Sequence, residues 1–70
     1  MALMDEIQSY IQEERDASKT YMKMADDAVD ARMYNTAQTL RGMAADEQRH
    51  SELLEGMFYQ PEVATDQPTA

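Results

Sequence analysis

Two apolar stripes, written in mirror order along the chain, constrain its fold more than any other feature. The first runs Leu3, Ile7, Tyr10, Glu14, Ala17, Tyr21, Met24, Ala28, with steps alternating between four and three residues. The second runs Thr36, Leu40, Met43, Glu47, His50, Leu54, Met57 with the same rhythm. Such spacing lines up one face of an α-helix. In an antiparallel pair of helices, residues at one height have numbers with a constant total, because one helix counts up as the other counts down. Ile7 with Met57, Tyr10 with Leu54, Glu14 with His50, Ala17 with Glu47, Tyr21 with Met43, Met24 with Leu40 and Ala28 with Thr36 all total 64. The chain is therefore expected to be all-α, an antiparallel two-helix hairpin turning about residue 32, between Asp30 and Tyr34.

Further lines at Met4, Ile11, Ser18, Ala25 and at Ala37, Ala44, Ser51, Phe58 widen each stripe on one side. A helix with so wide an apolar face touches more than one neighbour. Asn35 with Gln38 reads as an N-cap and capping box for the second helix, and Pro61 as its stop. Residues 1–60 form the hairpin in this reading. Residues 61–70, with two acids, two threonines and Pro68, read as a flexible tail. Gly42 inside the second helix suggests close approach of another helix. A chain of 70 residues is short of core, and a lone hairpin leaves half of each stripe in water. Two copies are therefore expected to pair into a four-helix bundle, as a homodimer or part of a higher homo-oligomer.

Glu14, Glu47 and His50 interrupt the stripes at one level. Charged groups are rarely placed on a core face without a partner, so three together suggest a metal site. Glu47 and His50 lie one turn apart, roughly 4.5 Å along the axis, on one face. Ala17 leaves room beside them. Doubling the hairpin gathers four glutamates and two histidines, a donor set that suits two ions of iron(II) or manganese(II), with zinc as a further occupant. The competing reading is that these groups only fix register in a structural or iron-carrying dimerisation module. The methionines read as fillers of an imperfect core.

Composition narrows the alternatives. Fourteen acidic residues against six basic ones, a net charge of -8, repel nucleic acid and anionic membrane and attract cations. Without cysteine there is no disulfide, thiolate zinc site or cysteine nucleophile. Asp5 and Glu6 stand where a signal peptide would be basic, and no apolar run approaches the roughly 20 residues that span a bilayer, so a cytoplasmic location is expected. No Ser/His/Asp set or Gly-rich phosphate loop supports hydrolysis or nucleotide chemistry.

The segment Glu14-Arg15-Asp16-Ala17-Ser18-Lys19-Thr20-Tyr21 resembles the Glu-x-x-Ala-x-x-x-Tyr segment of the first rubrerythrin helix, and Glu47-Gln48-Arg49-His50 is its Glu-x-x-His motif. The chain thus resembles the ferritin-like diiron carboxylate superfamily over about residues 3 to 58. It has one helix pair where ferritins and rubrerythrins carry two, and is similar in plan to the encapsulated ferritins. The resemblance implies a ferritin-like four-helix bundle whose diiron site is shared across the dimer. Glu14 would be a terminal ligand, Glu47 a bridging carboxylate and His50 a terminal nitrogen ligand, with Tyr21 just behind them. It further implies ferroxidase or peroxidase-type turnover, with iron(II) oxidised by O2 or H2O2 at two iron ions per dimer. Any protein shell or redox partner lies outside what the sequence specifies.

Overall fold

The structure, a computed structural model, describes residues 2–59. The described residues form two helices, α1 (Ala2–Asp30) and α2 (Tyr34–Gly56), packed antiparallel along their length. Among the described residues there is no strand. The all-helical expectation and the turn position both hold. The stop expected at Pro61 and the tail at 61–70 lie outside the described residues. α-Helical bonding already gives way after Gly56 to a tighter turn, in which Met57, Phe58 and Tyr59 each donate to the carbonyl three residues back.

The turn explains why two long helices can meet with only three residues between them. Met33 N–H donates to the Ala28 carbonyl at 2.8 Å and Arg32 N–H to the Val29 carbonyl at 2.9 Å. These are the two bonds of a Schellman motif, which satisfies carbonyls that the end of α1 would otherwise leave bare. Arg32 sits in the left-handed region, at φ 60°, where glycine is usual. Arg32→Gly is accordingly expected to stabilise the chain by about 0.5–1 kcal/mol, read as a higher denaturation midpoint at unchanged slope. Met33 then serves as N-cap of α2 without a side-chain bond. This corrects the reading of Asn35 as the cap: the motif ends so close to α2 that Asn35 already lies inside the helix.

The seam between the helices is built mostly from the flanking lines, with Ala28 its one residue from the main stripes. Ile11, Ala25, Ala28, Ala37, Ala44 and Ser51 are the buried residues. Ser18 Oγ donates to the Ala44 carbonyl at 2.9 Å, so its side chain reaches the backbone of the other helix. Small side chains permit that closeness. Ser51, fully buried, keeps its hydroxyl satisfied by donating to the Gln48 carbonyl at 2.7 Å. On the flank away from the stripes, Arg15 pairs with Glu55 at 3.0 Å and pins the register from behind. Lys23 donates to Asp27 at 2.9 Å, which raises its ammonium pKa above the usual value.

Bulky residues of the main stripes cannot enter so tight a seam and stay on an open face. Leu3 and Tyr10 are each 58% exposed, and Met24, Met43 and Met57 are about two-fifths exposed. The close helix expected at Gly42 is not found among the described residues, where an added Cβ would meet nothing within 4 Å.

Candidate metal centre

Glu14, Glu47 and His50 are brought together as their spacing predicts. His50 Nδ1 lies 3.0 Å from Glu14 Oε2 and 3.2 Å from Glu47 Oε1. One donor atom from each residue falls within 4.8 Å of the others, the separation expected of atoms around a single cation. α1 contributes Glu14 and α2 contributes both other groups from successive turns. The three therefore depend on helix register, which the Ser18 and Arg15 contacts hold from either side.

Their setting differs from the sequence expectation in one respect. They do not point into the closed seam but project onto the open face beside it. The two carboxylates are 20% and 23% exposed and the imidazole 47%. Ala17, across from Glu47 in the sequence register, is half-buried. Tyr21 is half-buried two turns beyond Glu14, and no hydrogen bond joins it to the three. The Ser18 and Arg15 contacts are the functional supports that periodicity missed. A serine on an apolar line signals close helix approach, whereas nothing in the sequence distinguishes Arg15 from a solvated base.

A carboxylate only accepts hydrogen bonds, so the tautomer that bonds here carries its proton on Nδ1. That proton occupies the position of a cation between two anionic oxygens. A metal ion replacing it would meet two hard oxygens and one imidazole nitrogen, a donor set suited to iron or manganese. Three donors from one hairpin leave half of an octahedron unfilled, and the open face is where others would enter.

A helical hairpin bearing a Glu/Glu/His set defines the ferritin-like diiron carboxylate class. Residues 7–69 match the family model described as Rubrerythrin, and the chain belongs to that family. Rubrerythrin-like domains bind iron, which fits the donors found here. No curated protein and no solved structure gives a match. No helix among the described residues is long and apolar enough to cross a membrane.

Proposed function

We propose that the protein is a diiron oxidoreductase of the ferroxidase or peroxidase type, with its site shared between the two copies of a homodimer. The contact of His50 Nδ1 with both Glu14 and Glu47 carries this reading, because it gathers iron donors on a face that a single hairpin leaves open. Each copy contributes Glu14, Glu47 and His50, so the paired face holds four carboxylates and two imidazoles around two ions. Bound iron(II) supplies one electron per ion, two in all, to O2 or H2O2.

The chain's own groups account for the rest. Glu14, on α1, anchors the site to the helix opposite His50. Glu47 touches only His50 of its own helix, through Oε1, so its second oxygen would be available to help hold a second ion. His50 must surrender its Nδ1 proton to bind metal, and in the open hairpin, before a second copy covers the face, its half-exposed ring gives that proton a way to water. Leu40, Met43 and Leu54 on the same face exclude water once a second copy covers them.

The economy of the core supports the dimer. Among the described residues Ile11 is the largest buried apolar side chain, with alanines making up the remainder, far less than an independent domain needs. Covering the open face would supply the missing burial. Iron(II) oxidation followed over many equivalents with O2 and separately with H2O2 tests the catalytic reading. Turnover well beyond two ions per dimer is expected. Retention of iron without turnover would leave an iron-binding dimer.

A further inference from the structure

We infer that the open face carries a modification site for hydrogen peroxide: in an unpaired hairpin the thioethers of Met24, Met43 and Met57 are oxidised to sulfoxides, which keep the chain unpaired. This rests on the shared-site reading and adds to it a chemical control on pairing. Met22, Met24, Met33, Met43 and Met57 are 43, 45, 52, 38 and 46% exposed, so accessibility in one hairpin does not separate them. Position does. Met24, Met43 and Met57 belong to the stripes that form the open face. Met22 lies about 100° round α1 from Tyr21, across the seam line from that face, and Met33 is the N-cap of α2 in the turn.

In the mirrored register Met57 stands level with Ile7, Met43 with Tyr21 and Met24 with Leu40. Thioethers thus lie on both sides of the metal donors, and Met43 is one turn, about 6 Å along the axis, from Glu47. Leucine fills comparable space on the same face at Leu40 and Leu54 without a group that peroxide attacks. With no cysteine in the chain, methionine is its only sulfur.

The reaction needs only the thioether and peroxide. A sulfur lone pair attacks one peroxide oxygen, the O–O bond breaks, and the departing hydroxide takes the proton left on the transferred oxygen, giving sulfoxide and water. Sulfur loses two electrons and peroxide gains them. A flexible apolar side chain becomes a polar one. On an unpaired hairpin the new S–O group is hydrated, but under a second copy it would lose that water against apolar neighbours. At roughly tenfold in affinity for each such group, several on one face weaken pairing by about a hundredfold or more. Pairs already formed shield these three sulfurs, so excess peroxide acts on chains that are apart.

Metal-free protein, diluted until it sediments as a monomer, is treated with hydrogen peroxide, freed of it, mapped by peptide mass and reconcentrated. Met24, Met43 and Met57 are expected to gain one oxygen each, and the protein to stay monomeric until methionine sulfoxide reductase restores pairing. Treated as a concentrated dimer, wild type is expected to be oxidised at Met22 and Met33 while the other three are spared. The variant Met24→Leu/Met43→Leu/Met57→Leu, diluted and treated alike, is expected to pair again despite oxidation at Met22 and Met33. Oxidised wild type that pairs as well as untreated protein, or resistance of the three sulfurs in the diluted chain, would overturn the inference. So would a triple variant that loses pairing on oxidation, or, should that variant not pair untreated, wild type that the reductase fails to restore. Untreated wild type that stays monomeric when concentrated, with and without iron, would instead overturn the shared site.

Discussion

Glu47→Ala protein, loaded anaerobically with iron(II) and desalted, is expected to retain no iron where wild type keeps about one ion per chain. Loss of groups that merely orient a ligand typically weakens metal affinity 10- to 100-fold, so loss of a ligand should exceed about 100-fold. Without Glu47 each hairpin offers only Glu14 Oε2 and His50 Nδ1. The fold should survive, because Glu47 lies off the closed seam and makes none of the contacts that hold the register. Removing two of four like charges from the paired face should leave the metal-free dimer at least as stable as wild type. Elemental analysis beside thermal unfolding separates the outcomes: lost iron with an intact transition supports the site, and undiminished iron contradicts it.

Met24→Glu is expected to abolish both dimerisation and iron retention, although Met24 is no ligand. In a single hairpin Met24 is 45% exposed, so a carboxylate there costs little. In the pair it is covered, and an unpaired buried carboxylate costs several kcal/mol on each of two copies. About 4 kcal/mol would weaken dimerisation roughly a thousandfold. With so small a core in each hairpin, the separated chains should also lose helicity on dilution. Circular dichroism against concentration reads this directly. Unchanged dimer mass would place the interface elsewhere.

Helix number, turn position and the meeting of Glu14 with His50 were legible because period and mirrored register are carried by many residues at once. Which face closes was not. Both lines of each helix are apolar, and the choice between them is made by side-chain size: alanines and serines allow the close approach, while Leu3, Tyr10 and Met24 hold helices apart. The left-handed residue was also hidden, since Arg32 stands where glycine would have announced it. Asn35 misled for a related reason, as cap preference is local and the Schellman turn had already fixed the start of α2.

In the proposed dimer two chains share one pair of metal ions. Native mass spectrometry of the iron(II)-loaded protein, kept anaerobic and measured over a dilution series, tests it most directly. A dimer carrying two ions, losing iron only as it dissociates, is the predicted result. A monomer that carries its own ion at every concentration would contradict it.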